Sequence, residues 1–188
     1  MRIIAGAYKG RRLVTPRGDV TRPTADQVRI ALMDTLTPWL PGARLLDLFA
    51  GAGGVGLEAL SRGAAHVTFV ERDARAVAAL RDNIAALGAG PAARVVRDDV
   101  LSALRTLQRD GERFGLVFLD PPYETELAAT TLAALGTGAL LADGALVIAQ
   151  HLTKRVESIP THAEKGNAAP PLRVTLPPAV ALTVDAET

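Results

Sequence analysis

Two short segments carry residue types whose spacing can do chemistry. The first is Gly51-Ala52-Gly53-Gly54-Val55-Gly56, which satisfies G-x-G-x-x-G and is followed, twenty residues after Gly51, by Glu71. Glycines in such a loop permit a tight turn and let the backbone approach a ligand at a helix N-terminus. A carboxylate at the end of the next strand can accept hydrogen bonds from ribose hydroxyls. Together they point to an adenosine-containing ligand, because a purely structural turn does not call for the acid. Nicotinamide and S-adenosylmethionine sites share this pattern, and the pattern alone does not separate them. Asp47, four residues before the first glycine and inside an apolar run, bears on the choice. A carboxylate beside a pyrophosphate is repulsive, whereas it favours the ammonium group of S-adenosylmethionine. The methyl donor is the better fit, with a nicotinamide dinucleotide as the alternative.

The second segment is Asp120-Pro121-Pro122-Tyr123, directly after the apolar run Phe114-Gly115-Leu116-Val117-Phe118-Leu119. Consecutive prolines stiffen a loop and present carbonyls in place of N–H groups. An exocyclic amine on a base is a weak nucleophile, because its lone pair is delocalised into the ring. Two acceptors, the Asp120 carboxylate and the Pro121 carbonyl, can hold both of its hydrogens and turn the lone pair toward a methyl group. Tyr123 offers an aromatic face for an extruded base, a contact worth about 1–3 kcal/mol.

The elements needed to position these groups alternate along the chain. Apolar runs at residues 44–50, 66–71, 93–96, 114–119 and 145–149 predict strands, and helices are expected at 55–62, 73–87, 100–108 and 124–135. Runs of this kind imply an α/β fold with a mostly parallel sheet covered by helices on both faces, whose ligands bind at the carboxyl ends of the strands. Residues 172–176 and 180–184, separated by Pro177-Pro178, predict a C-terminal antiparallel hairpin. Ahead of the alternating region, residues 1–5 and 12–15 predict a short β-hairpin around a turn at 6–10. Thr24 is the expected N-cap of a helix whose apolar face is Val28, Ala31, Leu32 and Leu36. Pro38 and Pro41 mark the junction, dividing the chain into an extension (1–38) and a main body (39–188).

The 188 residues are 48% apolar, 22% charged and free of cysteine. A disulfide scaffold, a cysteine-ligated zinc site and a cysteine nucleophile are thereby excluded. The formal charge of +1 is unevenly spread: residues 1–30 hold seven basic and two acidic side chains, a net +5, leaving −4 for the remainder. A basic arm on a slightly acidic body suits a polyanion. No stretch has the length of a membrane span and residues 1–13 lack a secretory apolar core, so a cytoplasmic location is expected. His66, His151 and His162 lack metal-ligand spacing, and no metal is expected. Trp39, between two prolines, is read as packing under the N-terminal helix, and Glu124 and Glu126 as favouring their helix dipole.

At Asp120-Pro121-Pro122-Tyr123 the chain resembles the amino-methyltransferases with a D/N-P-P-Y/F motif, Rossmann-like enzymes that use S-adenosylmethionine. Residues 2–13 (RIIAGAYKGRRL), 22–32 (RPTADQVRIAL), 46–64 (LDLFAGAGGVGLEALSRGA) and 118–123 (FLDPPY) narrow the resemblance to the RsmD family, bacterial 16S rRNA guanine-N2 methyltransferases. The match spans about residues 1–150.

The resemblance implies that Asp47, Phe49, Gly51, Gly53, Glu71 and Arg72 bind S-adenosylmethionine, released as S-adenosylhomocysteine, with Glu71 on the ribose. Asp99 and the Val100 N–H would meet the adenine, with Asp98 as an alternative to Asp99. Asp120, Pro121, Pro122 and Tyr123 would hold the guanine. Arg2, Lys9, Arg11, Arg12, Arg22 and Thr24 would contact 16S rRNA in the small subunit or its assembly intermediate. A monomer without a membrane partner is expected. The chain departs from the family pattern at Ala52, where serine is common, and at Pro177-Pro178-Ala179, which replace a Gly-Asp/Glu-Thr triplet. Three other readings stay open: a DNA adenine or cytosine amino-methyltransferase, a nicotinamide-dependent oxidoreductase, and a non-catalytic rRNA-binding assembly factor.

Overall fold

Strands that are apolar on both faces need cover on both, and alternate residues of β1 (Arg44–Leu48) show how it is met. Leu45 joins an apolar cluster with Leu57, Phe69 and Leu80, whereas Leu46 and Leu48 join a second one with Leu104, Leu107 and Phe114 on the opposite face. The computed structural model describes residues 1–16, 23–122, 126–150 and 181–185, with backbone alone for 23–28 and 181–185.

From β1 the chain runs through α2 (Gly54–Ser61), β2 (His66–Val70), α3 (Ala74–Leu87), β3 (Ala93–Val96), α4 (Val100–Arg109), β4 (Phe114–Leu119), α5 (Leu127–Thr137) and β5 (Leu141–Gln150) to β6 (Ala181–Asp185). A helix, α1 (Pro23–Leu36), precedes them. The strand order is β3-β2-β1-β4-β5-β6; β1 to β5 are parallel and β6 is antiparallel to β5. The order reverses between β1 and β4, so the ligand crevice of such a sheet opens at their carboxyl ends. Each helix ends where its local chemistry dictates. Asp73 caps α3 by accepting from the amides of Arg75 (2.8 Å) and Ala76 (3.0 Å), and Gly88 closes it in the left-handed conformation.

The expected parallel sheet and its helices are present, with differences at the two ends. The first arm of the C-terminal hairpin, residues 172–176, lies outside the described residues; the strand that follows pairs with β5. Thr24 is not an N-cap: α1 starts at Pro23, whose fixed φ suits the first helical position, so Thr24 lies within the first turn. The buried face of α1 includes Leu32, Leu36 and the unforeseen Met33. Trp39 is 41% exposed, so it does not pack under α1; Leu40 takes the buried place beside it.

The N-terminal hairpin is reduced to a single antiparallel bridge, Arg2 to Arg12, flanked by the bonds Ile3 N to Arg11 O (2.9 Å) and Leu13 N to Met1 O (3.0 Å). It stays this short because the amides of Ile4, Ala5, Ala7 and Tyr8 turn to α2 beneath it. Ile4 and Ala5 donate to the two oxygens of Glu58 in α2 (2.7 and 3.0 Å), a carboxylate with no exposed surface that also accepts from Arg62 Nε (2.9 Å). Tyr8 N donates to Ser61 Oγ (2.9 Å), and Ala7 N to the Ser61 carbonyl (2.7 Å). Ile3 and Leu13 then fall into the same apolar cluster as Leu57 and Phe69.

Gly6 makes this docking possible. Its φ is +79°, and a Cβ there would stand 1.7 Å from the Ser61 carbonyl oxygen. Gly6→Ala is expected to cost at least about 2 kcal/mol, a fall of about 4–8 °C in the thermal midpoint measured by calorimetry.

Candidate active site

Three carboxylates converge where the strand order reverses. In the sheet register Asp47 lies opposite Phe69 on β2 and Phe118 on β4. Glu71 and Asp120 each follow the residue paired with Leu48, so they extend from neighbouring strand ends. Asp99, beyond β3, adds a fourth acid along the same edge, with its side chain capping α4 at Ser102 N (3.0 Å). The Ser102 hydroxyl, with this amide second, holds the Asp99 carboxyl below the usual carboxylate range. Val100 is the first residue of α4, so its N–H has no acceptor within the helix.

The glycine loop is shaped by two of these acids. Gly51 N donates to Glu71 Oε2 (2.8 Å), whose other oxygen accepts from Asp73 N (2.8 Å). Gly56 N, in the first turn of α2, donates to Asp47 Oδ2 (2.9 Å). Gly53 precedes α2 at φ +87°, and its N–H bonds back to Ala50 O (2.8 Å). Two of the amides that a pyrophosphate would use, at Gly51 and Gly56, are therefore already spent on carboxylates, which weighs against the dinucleotide reading. Glu71 keeps lone pairs for further donors, as each oxygen has accepted only one bond. A Cβ on Gly51 would meet nothing within 4 Å, so the first glycine faces open space.

Phe49 adopts φ +64°, a costly conformation for a bulky residue, at the point where β1 turns into the loop. It packs against the cluster on the α4–α5 face. Arg72 is exposed beside Glu71, Pro121 is buried and Pro122 exposed. Tyr123 and Arg22 lie outside the described residues, as do His151, His162 and Glu124. Of the expected RNA contacts, Arg2, Lys9, Arg11 and Arg12 are exposed on the hairpin, and the Arg11 guanidinium donates to the Ala86 carbonyl in the last turn of α3. Arg2 and Arg12 face each other across the bridge and line a cleft of about 440 Å³ with Met1 and Leu13. Arg29, counted in the basic arm, is instead buried and bonds the backbone at Arg2 O (2.9 Å).

A model of the family described as conserved hypothetical protein 95 matches residues 1–168. The ribosomal RNA small subunit methyltransferase D of Escherichia coli (strain K12) is 42% identical over 147 residues, 78% of this chain and 72% of that protein. The chain belongs to this family, the RsmD methyltransferases. A Bacillus subtilis (strain 168) member named as a "putative rRNA methyltransferase" is 38% identical, covering 80% of this chain and 82% of its own. The solved structure of a "putative methyltransferase" from Escherichia coli superposes on 100% of this chain and 99% of its own, with a TM-score of 0.80 and 35% identity. The fold is thus the Rossmann-like methyltransferase fold that the family resemblance implied, with the mostly parallel sheet expected from the strand pattern. Among the described residues no acidic or histidine cluster could hold a metal, and no helix is long and apolar enough to cross a membrane.

Sequence reasoning missed Glu58, Ser61 and Asn83. Each had a signal: a polar residue where the helical period requires an apolar one.

Burial pushes the Asp47 carboxyl up to about 7; the Gly56 amide opposes the rise, and Asp120 and Glu71 add to it. Burial likewise raises Asp120 to about 6. The folded chain then holds protons that an unfolded chain has released by about pH 4, so stability falls as pH rises from about 4 to 7. Asp47→Asn, which can still accept from Gly56, is expected to raise the thermal midpoint of the ligand-free protein at pH 8 and hardly at pH 4. The gain at pH 8 is on the order of a few kcal/mol, and midpoints measured across that range check it.

Proposed function

We propose that this chain transfers a methyl group from S-adenosylmethionine to the exocyclic N2 of a guanine in 16S rRNA. Its substrate is the small ribosomal subunit or an assembly intermediate, and it works as a cytoplasmic monomer. The observation that supports this most is membership of the RsmD family combined with Asp120 and Glu71 at strand ends either side of β1. The choice of N2 over other exocyclic amines rests on the family.

When bound, S-adenosylmethionine supplies an electrophilic methyl on a sulfonium and leaves as S-adenosylhomocysteine. This chain's residues hold and orient. Glu71 accepts from the ribose hydroxyls while keeping Gly51 in place, and Asp99 with the Val100 N–H meets the adenine edge. Gly51 and Gly53 line the cofactor, with Phe49 and Arg72 bordering it. Asp47 and its neighbouring acids make the crevice favourable to a cation and unfavourable to phosphates. The Asp120 carboxylate and the Pro121 carbonyl accept the two N2 hydrogens, directing the lone pair out of the base plane. Asp120 also stabilises the positive charge that develops on nitrogen. Pro122 stiffens the loop, and Tyr123 stacks on the base. No covalent link to the base is needed, and the cysteine-free chain offers no thiol to make one.

Residues 1–38 act as the RNA-contacting extension of a methyltransferase body formed by 39–188. Arg2 and Arg12 are like charges placed directly opposite, an arrangement that is unfavourable until an anion lies between them. An RNA phosphate meets that need, with Lys9, Arg11, Arg22 and Thr24 adding contacts around it.

Purified protein with radiolabelled S-adenosylmethionine is expected to label 16S rRNA in unmethylated 30S particles or assembly intermediates and to leave duplex DNA unlabelled. Unlabelled rRNA would falsify the proposal. Asp120→Ala is expected to lower transfer by at least about 10²-fold while S-adenosylhomocysteine still binds. Replacing Arg2 and Arg12 by Gln should weaken RNA binding and reduce the slope of log K against log salt by about 1.5, leaving cofactor affinity unchanged.

A further inference from the structure

Asn83 stands in the apolar stripe of α3, between Leu80 and Leu87, and is 1% exposed. An amide buried there is tolerated only if its polar atoms are bonded. Its Oδ1 accepts from Val14 N (2.7 Å), and its Nδ2 donates to Val14 O (2.9 Å) and to Ala52 O (3.0 Å). Both N–H bonds of the amide are thus engaged, one by the hairpin and one by the glycine loop. One N–H partner and two carbonyl partners also leave a single orientation for the side chain.

Arg29 repeats the arrangement on the other limb of the hairpin. Its Nη2 donates to Arg2 O (2.9 Å), and its Nη1 reaches Gly54 O at 3.4 Å. Ala52 and Gly54 flank Gly53, the left-handed residue from which α2 starts. The loop is therefore gripped from two sides. Its amides at Gly51 and Gly56 go to the carboxylates of the crevice, and its carbonyls at Ala52 and Gly54 go to side chains that hold the hairpin.

We infer that Asn83, seconded by Arg29, is a positioning residue that couples the basic hairpin to the cofactor loop, so that RNA seated on Arg2 and Arg12 tightens cofactor binding. The identities of the two ligands rest on the proposed function; the mechanical link does not. RNA held across the hairpin restrains Val14, which restrains Asn83 and with it the peptide plane between Ala52 and Gly53. A loop already ordered loses less entropy when the cofactor arrives. By linkage the bound cofactor tightens RNA by the same factor, favouring the ternary complex over either binary one.

Two variants interrupt the link from opposite ends. Asn83→Asp keeps an acceptor for Val14 N and loses the donor to both Ala52 O and Val14 O. Val14→Pro removes the hairpin's N–H at a residue whose side chain is 57% exposed and fills no core. Retention of radiolabelled S-adenosylhomocysteine is measured with and without saturating unmethylated 30S particles, and amide exchange of residues 52–56 is followed in the ligand-free protein.

For the unaltered chain the particles should tighten retention by about fivefold or more. In both variants that ratio should fall to about one, with faster exchange of the loop amides and an unchanged far-ultraviolet spectrum. A ratio of one in the unaltered chain, or the full ratio in both variants, overturns the coupling while leaving the proposed function standing. Faster loop exchange in the variants, with no S-adenosylhomocysteine retained by the unaltered chain, supports the mechanical link and overturns the cofactor reading instead.

Discussion

The bonds from Gly51 and Gly56 to the carboxylates of Glu71 and Asp47 are the constraint on which the crevice depends. They bend the chain between β1 and α2, and they decide what the bend can receive. Helix N-termini preceded by glycine loops ordinarily attract phosphate, because their amides are unpaired. Here an acid from the same strand and an acid from the next strand occupy two of those amides, at Gly56 and Gly51, in advance. The site is left rich in acceptors and negative potential, which suits a cationic cofactor and an amine-bearing substrate. Burial also raises the proton affinity of Asp47, so the crevice is a place where charge is held at a cost in stability.

The hairpin at residues 1–13 is more than a charged arm laid on a finished domain. Its backbone is fastened to α2 through Glu58 and Ser61 and to α3 through Asn83, and Ile3 and Leu13 complete the cluster above the sheet. Its basic side chains are exposed while its backbone bonds inward to the helices, so surface charge and loop geometry share one small element. Arg29 illustrates the economy of that arrangement: a residue that adds to the formal positive charge is used as a buried clamp between the hairpin and the first turn of α2.

Most of the parallel sheet was legible because its strands are apolar on both faces and each ends at a residue suited to a ligand. Glu71, Asp99 and Asp120 follow β2, β3 and β4 as their positions in the pattern require, and α3 occupies 74–87 of the expected 73–87. The hairpin was misjudged as two paired strands, because strand propensity does not reveal that a helix carboxylate will take the amides of Ile4 and Ala5. Trp39 was misplaced for a similar reason. Size and apolarity argue for burial, but the turn at residues 37–39 spends its buried place on Leu40.

Motif and order along the chain determined the class of fold, the family, and the placing of a glycine loop after β1 beside an acid after β2 and an acceptor-rich loop after β4. Those properties follow from short-range spacing and from the period of apolar residues, which a sequence states directly. Which polar side chains would be drawn inside was decided only by tertiary structure. Glu58, Asn83 and Arg29 interrupt apolar stripes, a signal that does not say which groups each of them would bond. Their partners lie 25 to 69 positions away, so only folding brings the unsatisfied backbone groups of the hairpin against them and makes burying each of them favourable.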